Sequence, residues 1–442
     1  MIDKSIEILK SEMQATPTST TMVALSTMIG TTIEWYDFFI FGTASALIFG
    51  HTFFPSFDPA VATILSLSTF AAGLFARPIG AIFFGHFGDR IGRKKMLIAS
   101  LLLMGVPTTL IGMLPTYSQI GIMAPIALTL IRICQGVALG GEWGGAVLMA
   151  VEHAPPKRSG FFGSLPQTGC PAALVLSSGA FALTGLLAPD DFQAWGWRLP
   201  FLASGILIVI GFFIRRRVNE SPVFERVENL GKVVNIPVVE IVRKHMFSVT
   251  VGVGAKLGEI TMFWLFAVFV LSYSTGKLGL PRSVILQATT LGAIAMLLLM
   301  PISGLLSDRF GNRKIFNAGT ILLLLSAVPM FLLIDSGDAA LVTIAIVFAL
   351  GILYPIMYAP EASLFAELFP PEVRYTGLSL CANIGGAIGG GIAPLVATGL
   401  ISHYGGAQPV GIYLAAISGV SLVSVLAMKP AVGALTSGAR QE

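Results

Sequence analysis

The sequence contains few charged residues. Asp, Glu, Lys and Arg make up 11% of its 442 residues, whereas they make up about a quarter of a soluble globular protein. Hydrophobic residues make up 55%, and the mean hydropathy is +0.83. Apolar runs of about 18 or more residues recur along the chain, and each is long enough to cross a hydrocarbon core of ~30 Å. This composition excludes a soluble enzyme and predicts an all-α polytopic membrane protein.

Cysteine is rare as well. The chain has 3 cysteines, Cys134, Cys170 and Cys381, and each lies alone within an apolar run. No two have the spacing of a metal site or a disulfide framework, so we expect packing residues, no bound metal and no cofactor. The first 20 residues lack the charged and apolar regions of a cleaved signal peptide, and we expect the first span to act as the insertion signal.

Nucleotide-binding and catalytic motifs are absent from the sequence. It has no G-x-x-x-x-G-K-[ST] loop, which disfavours an ATP-driven pump. It has no H-E-x-x-H or G-x-S-x-G motif, which disfavours a membrane-embedded enzyme. The pore loops and fourfold repetition of channels are also missing. The sequence therefore predicts a transporter and not an enzyme, and a flux assay would distinguish a transporter from a non-transporting receptor.

Polar segments divide the chain into two halves of six predicted spans each. The longest polar interruption, 215–245, separates a first bundle at 22–214 from a second bundle at 246–428. We interpret this interruption as a linker, and its 238–244 end has the pattern of a short interfacial amphipathic helix.

The cations predict the orientation of the chain. Of 27 Lys and Arg residues, 21 lie in loops on the side of the N-terminus and three lie in loops on the opposite side. Because cytoplasmic loops carry an excess of cations, we expect the linker and both tails, 1–21 and 429–442, to be cytoplasmic. The pI near 9.0 then follows from topology and not from nucleic-acid binding.

Two loops of the first half are repeated in the second half. G-H-F-G-D-R-I-G-R-K-K at 85–95 matches G-L-L-S-D-R-F-G-N-R-K at 304–314, at an offset of 219 residues. E-x-x-P-P-x-R, which begins at Glu152, is echoed by E-x-x-P-P-x-x-R, which begins at Glu367. Two different loops repeated in the same order indicate an internal duplication.

These motifs resemble those of a known family of transporters. The loop at 85–95 resembles the signature loop of the major facilitator superfamily. The segment at 271–282 is most similar to shikimate-type members of its metabolite:proton symporter branch, and the long C-terminal coiled coil of osmosensing members is absent. The branch includes transporters of shikimate, α-ketoglutarate, citrate, and proline or betaine, and its other matching segments are T-T-I-E-W-Y-D-F-F-I-F-G (31–42), F-A-R-P-I-G (75–80), R-I-C-Q-G-V-A-L-G-G-E-W-G-G-A (132–146), W-G-W-R-L-P-F (195–201) and E-S-P-V-F (220–224).

The resemblance implies the major facilitator fold, with 12 transmembrane helices in two six-helix bundles that rock about a central cavity lined by helices 1, 4, 7 and 10. It also implies that Asp89 meets the N-terminal end of helix 11 and helps to close the cytoplasmic side, where the helix dipole stabilises an anion. We expect Arg90, Arg93 and the adjacent lysines to contact anionic headgroups. Asn312 occupies the position in the second loop that Arg93 occupies in the first. The loss of this charge predicts that the second loop closes the cytoplasmic side more weakly. The predicted gating residues are Gly85, Asp89, Arg90, Gly92, Arg93, Asp308, Arg309 and Gly311.

Acidic residues inside the spans are candidates for proton coupling, because a charge at the centre of a membrane helix costs ~2.5–3.5 kcal/mol. Glu34 and Asp37 lie three residues apart on one helix face, and burial disfavours two adjacent charges, so that one of them can hold a proton. The alternative is that one of them forms a structural pair with Arg132 or Lys256. The predicted proton-coupling residues are Glu34, Asp37, Glu142, Glu259 and Glu361.

Cationic and aromatic residues in the spans are candidates for substrate binding. Arg132 can hold a carboxylate by two parallel hydrogen bonds or can form a structural ion pair. Lys256 and Glu259 can neutralise each other, and an anionic substrate can displace Glu259. Aromatic residues pack the core more often than they contact a ligand, and Arg77 is expected to snorkel toward the surface. The predicted substrate-binding residues are Arg132, Lys256, Gln135, Trp35, Tyr36, Gln167, Tyr354 and Tyr358.

These patterns predict a secondary transporter that functions as a monomer in the inner membrane and imports a small carboxylated metabolite together with a proton. A zwitterion such as proline or betaine is the alternative substrate. A drug:proton antiporter is a further alternative, which fits the quoted segments less well. The expected partners are the transported molecule, the proton and the lipid bilayer.

Overall fold

The computed structural model describes residues 19–431, and all regular secondary structure in this range is helical. The predicted tails therefore lie largely outside the described residues. The long helices of the first half are α1 (Thr20–Leu47), α2 (Pro59–Ile91), α3 (Arg93–Met113), α4 (Met123–Glu152), α5 (Ser159–Gln167 and Gly169–Thr184) and α6 (Leu199–Arg216). Those of the second half are α7 (Met246–Gly276), α8 (Arg282–Phe310), α9 (Asn312–Asp335), α10 (Ala339–Ala366), α11 (Arg374–Gly386 and Ile392–Tyr404) and α12 (Gln408–Ala427).

Ten helices among the described residues are long and apolar enough to cross a membrane. The other two of the twelve, α1 and α5, differ for local reasons. Two acids and a series of Thr and Ser residues lower the hydropathy of α1. α5 is interrupted at Thr168. Three residues later, Pro171 has no backbone N–H to donate to the carbonyl four residues before it. The predicted all-α polytopic fold with twelve long helices is confirmed.

The two halves meet along two seams that the duplication relates. α2 packs against α11, and α5 packs against α8. At the first seam, a Cβ added to Gly85 would lie 2.8 Å from Thr376 Cα. At the second seam, a Cβ added to Gly304 would lie 2.8 Å from the carbonyl oxygen of Gly160. Glycine at Gly85 and Gly304 is therefore required for the close approach of the helices.

Three helices of the second half contain π-helical turns. These are Leu265–Phe269 in α7, Val347–Leu353 in α10 and Ala387–Gly391 in α11. Such turns shift the hydrogen-bond pattern by one residue and occur frequently at functional sites. The turn in α10 ends immediately before Tyr354, one of the predicted site residues.

The linker lies at one end of the bundle. It contains the short helices Pro222–Asn229 and Pro237–Lys244, so the helix predicted at 238–244 is confirmed. At the same end, Lys94 Nζ donates to the carbonyl of Arg216 at 3.1 Å, and Arg313 Nη2 donates to the carbonyl of Leu426 at 2.5 Å. We call the surface that contains these four residues the linker face.

Candidate transport site and gate

Lys256 of α7 is shared by two buried glutamates. Its Nζ lies 2.9 Å from Glu361 Oε1 and 3.1 Å from Glu361 Oε2, both on α10, and it also forms an ion pair with Glu259. Lys256 is 5% exposed and both glutamates are fully buried. One ammonium between two carboxylates leaves an excess negative charge unless one of the acids carries a proton.

Aromatic and amide groups from both halves surround this cluster. Lys256 Nζ lies 4.6 Å from the centroid of the Tyr358 ring and 5.4 Å from that of Trp143. Trp143 Nε1 donates to Gln167 Oε1 at 2.9 Å, and Gln167 Nε2 donates to the backbone carbonyl of Tyr358 at 2.6 Å. The Tyr354 ring packs on Tyr358 with centroids 4.8 Å apart. Residues of α4, α5, α7 and α10 therefore converge between the halves. Trp143 was not among the predicted site residues, and its position next to Glu142 on α4 was the available sequence signal.

A second polar network lies inside the first half. The hydroxyls of Ser204 and Thr108 donate to the carboxylate of Asp37 at 2.5 and 2.8 Å. Gln135 Nε2 donates to Thr108 Oγ1 at 2.7 Å, and Arg132 Nη1 donates to Gln135 Oε1 at 3.1 Å. Asp37 is fully buried within this network. The structure thus separates Asp37, Gln135 and Arg132 from the Lys256 cluster.

Three phenyl rings enclose the guanidinium of Arg132. Its Cζ lies 4.9, 4.4 and 4.7 Å from the ring centroids of Phe38, Phe41 and Phe70. No ion pair joins Arg132 to a predicted acid of α1 or α4 in the described part of the chain, so the structural ion pair considered from the sequence is not formed. Cation–π contacts and Gln135 take its place.

Glu142 is neutralised by an arginine that the sequence had assigned to the linker. Arg215 Nη1 lies 3.1 Å from Glu142 Oε2, and Arg215 Nη2 contacts Glu142 Oε1. Ser100 Oγ donates to the same carboxylate at 2.5 Å. α6 continues through Arg216, so Arg215 lies inside the bundle, where the absence of a side chain at Gly30 leaves room for the guanidinium.

Glu34 has a buried carboxylate oxygen, Oε2, that has no hydrogen-bond partner among the described residues. Together with Asp37 and Glu142, it lines a cavity of about 10 Å³, which is close to the minimum space for one water molecule. The neighbouring Tyr36 donates its hydroxyl to the carbonyl of Pro200 at 3.0 Å. Tyr36 is therefore bound inside the first half and away from the Lys256 cluster. Trp35 packs its ring against Phe38 and Phe39.

Asp89 contacts the first amides of α11, as the resemblance implied. It accepts hydrogen bonds from the backbone amides of Tyr375 and Thr376 at 3.1 and 2.9 Å and from Thr376 Oγ1 at 2.8 Å. In the second copy, Asp308 accepts from the backbone amide of Gly160 at 2.7 Å and from that of the next residue at 2.9 Å, at the start of α5. Each aspartate thus joins one half to the other at a helix N-terminus, where the dipole stabilises an anion.

Arg93 lies within an ion cluster and not at the lipid surface. It is 1% exposed, and its guanidinium lies 3.7 Å from Asp89 and 3.6 Å from Glu152. Arg374 Nη1 lies 3.2 Å from the other oxygen of Glu152, Oε1, whereas Ser221 donates a hydrogen bond to Oε2, the oxygen that faces Arg93. The expected headgroup contact of Arg93 is therefore wrong, because two acids and the α11 segment enclose the side chain.

The second copy of the repeated loop, at 304–314, has fewer charge contacts than the first. Asn312 Nδ2 donates to Glu367 Oε1 at 3.2 Å. Burial raises the pKa of Glu367. The hydrogen bond from Asn312 and the charge of Arg374 lower this pKa, but by less than burial raises it. The other predicted gating arginines, Arg90 and Arg309, are exposed. An amide thus stands where the first copy has a guanidinium.

Arg77 crosses the seam between α2 and α11. Its Nε donates to Asn383 Oδ1 at 3.2 Å, and Asn383 Nδ2 donates to the carbonyl of Gly140 at 2.8 Å. The expectation that Arg77 snorkels is wrong, because Asn383 lies within its reach across the seam. A polar residue within the apolar run of α11 was the available sequence signal.

Comparison with known proteins identifies the family. The sequence profile of "Sugar (and other) transporter" matches residues 23–230, and that of "Major Facilitator Superfamily" matches residues 254–441. The inner membrane metabolite transport protein YhjE of Escherichia coli (strain K12) is 43% identical over 425 residues, which cover 95% of this chain and 96% of that protein. The shikimate transporter of the same organism is 36% identical over 410 residues, which cover 92% and 94%.

A solved structure shares the fold. The proton:xylose symporter XylE bound to 6-bromo-6-deoxy-D-glucose matches with a TM-score of 0.75 at 14% sequence identity, over 95% of this chain and 98% of that one. The fold and the sequence matches define a membrane transporter and not an enzyme. The chain belongs to the major facilitator superfamily.

Proposed function

We propose that the chain is a proton-coupled symporter that imports a small carboxylated metabolite by alternating access across the bacterial inner membrane. The observation that carries this proposal is the position of Lys256 between Glu259 and Glu361. A carboxylate of the substrate has the charge and geometry to replace one glutamate at the ammonium, because both make the same charge-assisted hydrogen bonds. Lys256 is then the anchor of the substrate.

Displacement of a glutamate from Lys256 by the substrate couples substrate binding to proton binding. A glutamate displaced from Lys256 would be a buried carboxylate without a cation, which is costly. Protonation removes that cost, so the anion and the proton enter the site together. Glu259 and Glu361 are the coupling residues in this scheme. Glu34, whose free oxygen has no partner, is the candidate for a second protonation site inside the first half.

The gate and the orientation complete the scheme. The excess of cations on the linker face supports a cytoplasmic position for this face and for both chain ends. Asp89 and Asp308 close that face in this conformation, and release to the cytoplasm requires that both contacts break. Trp143 and Gln167 lie on the first half and Tyr358 lies on the second. A substrate beside Lys256 would therefore lie between groups of both halves, and its surroundings would change when the halves move. The monomer contains all of these residues.

Uptake into proteoliposomes tests the proposal. The panel contains labelled mono- and dicarboxylates and zwitterions such as proline and betaine, with and without an inward proton gradient. We expect uptake of a carboxylate that exceeds uptake by empty liposomes and that stops when the gradient is collapsed. Uptake that does not respond to the gradient would contradict symport, and uptake of zwitterions alone would identify the alternative substrate class.

The anchor has its own test. Lys256→Gln should abolish substrate binding, because it removes the charge that pairs with the carboxylate. Lys244→Gln is the matched control, since Lys244 is an exposed lysine of the linker. Unchanged binding by the Lys256→Gln variant would contradict the assignment.

A further inference from the structure

The loops at the starts of α3 and α9 share a backbone conformation but differ in their surroundings. Gly92 and Gly311 precede these helices with φ of +111° and +100°. In the first half, Glu220 of the linker accepts hydrogen bonds from the backbone amides of Arg93 and Lys94 at 2.9 and 3.2 Å. A Cβ on Gly92 would overlap the Glu220 carboxylate, whereas a Cβ on Gly311 would meet none of the described residues within 4 Å. The first half therefore holds an anion at a position that the second half leaves open.

The open position in the second half is a cavity of about 550 Å³. Three cations, Lys157, Arg313 and Lys314, line it together with the start of α9. Its two acids are already bound, Asp308 by the first amides of α5 and Glu367 by the side-chain amide at the start of α9. The cations and the positive end of the α9 dipole thus face a space without a committed counter-anion among the described residues.

The apolar surface beside the cavity favours an anion that a lipid can present. Phe310 lines the cavity and is 51% exposed, and Leu306, one turn earlier on α8, is exposed as well. The cavity thus adjoins an apolar surface of the bundle.

We propose that this cavity is a binding site for a phosphate-type oxyanion, supplied by an anionic phospholipid headgroup or by free phosphate. The amides of Asn312 and Arg313 correspond to those of Arg93 and Lys94, which hold the Glu220 carboxylate in the first half. Lys157 and Lys314 neutralise the charge of the bound anion. Because Asp308 also lines the cavity, the bound anion adjoins the α5–α8 seam.

Binding measurements on the full-length protein in neutral detergent test the site. The probes are short-chain phosphatidylglycerol, phosphatidylcholine with the same acyl chains, and inorganic phosphate against chloride at equal ionic strength. We expect saturable binding of phosphatidylglycerol or of phosphate, and weak binding of phosphatidylcholine. Saturation by the lipid alone identifies a headgroup site, and saturation by phosphate identifies a site for the free anion.

Variants locate the binding. Lys157→Gln combined with Lys314→Gln should weaken it about tenfold or more, because each lysine makes a charge-assisted contact. Lys232→Gln, at an exposed lysine of the linker, is the matched control, and Lys314→Arg should keep most of the affinity. Binding that is equal in the wild type and the double variant, or no binding of either probe, overturns the proposal.

The first half offers a variant that gains a site. Glu220→Ala removes the internal carboxylate and should expose a second anion site at Arg93 and Lys94, which raises the stoichiometry from one to two. A stoichiometry that stays at one, with the folded state verified by size-exclusion chromatography, would contradict the correspondence between the two loops.

Discussion

The carboxylate of Asp89 binds both the backbone amide and the hydroxyl of Thr376, at 2.9 and 2.8 Å. The two residues belong to different halves of the chain and lie beside the close approach of α2 and α11 at Gly85. Hydrogen bonds to a charged group contribute about 1.5–3 kcal/mol each. In the proposed gate, this contact would therefore be a substantial part of what keeps the linker face closed.

We predict that Asp89→Asn slows transport about tenfold and changes substrate affinity little, because the neutral amide weakens the closed gate and leaves the Lys256 cluster intact. The measurements are the initial rate and the half-saturation concentration of uptake in proteoliposomes. Asp308→Asn is the matched variant in the second copy. A large loss of affinity in Asp89→Asn would show that the residue acts on the substrate site and would refute the gate assignment.

The pair formed by Glu142 and Arg215 gives a prediction on stability. Glu142→Gln or Arg215→Leu alone leaves a buried charge without a partner, which costs about 3–5 kcal/mol. The two single variants should unfold at clearly lower temperatures in detergent, and Glu142→Leu combined with Arg215→Leu should recover much of the loss.

The same variants address the role of Glu142 in transport. If the pair is structural, the double variant keeps gradient-driven uptake. A double variant that is stable but accumulates no substrate against a gradient would instead support the proton-coupling role predicted from the sequence for Glu142.

Neutralising one glutamate of the Lys256 cluster should separate exchange from accumulation. Glu361→Gln mimics the protonated acid, so the proton step is bypassed. We expect counterflow of labelled substrate to persist while accumulation driven by the proton gradient is lost. Glu259→Gln is the companion variant, and the one that retains accumulation identifies the acid that does not carry the proton. Accumulation by both variants would contradict coupling at this cluster.

Arg132 gives the fourth prediction. Arg132→Lys removes the planar guanidinium from between Phe38, Phe41 and Phe70, where each cation–π contact contributes about 0.5–2 kcal/mol. We expect lower thermal stability with a half-saturation concentration changed less than about threefold, since a shift of about 0.6 kcal/mol corresponds to that ratio. An unchanged melting temperature together with a large rise in the half-saturation concentration would support the substrate-binding role predicted from the sequence.

The sequence predicted features that depend on one helix at a time. Hydropathy located the twelve long helices, and the repeated loops indicated the duplication that the two seams display. The contact of Asp89 with the start of α11 followed from the resemblance and is present. Spacing also placed Tyr354, Tyr358 and Glu361 on one face of α10, and all three are buried near Lys256.

Features that depend on which helices face each other were beyond the sequence. Arg215 was placed in the linker because three consecutive arginines look like a loop, and its partner Glu142 lies 73 residues earlier. Arg93 and Arg77 were expected near lipid because the sequence indicates where a residue lies along its own helix. It does not show which residues of the other half, such as Asn383 for Arg77, that residue contacts. Asp37 shares a helix with Glu34, yet its donors come from α3 and α6, and no periodicity in α1 specifies them.

The unequal composition of the two seams predicts an order for the opening of the linker face. Beside the α2–α11 seam, an ion pair joins the two halves, because Arg374 of α11 binds Glu152 of α4. Arg93 binds the same glutamate from within the first half. The α5–α8 seam has Asp308 on backbone amides, with the neutral side chain of Asn312 beside it. We expect separation to start at α5 and α8, where no ion pair among the described residues joins the halves, and the two halves to twist apart about the α2–α11 seam. A seam that parts last and re-forms first would set the pace at which the empty carrier returns.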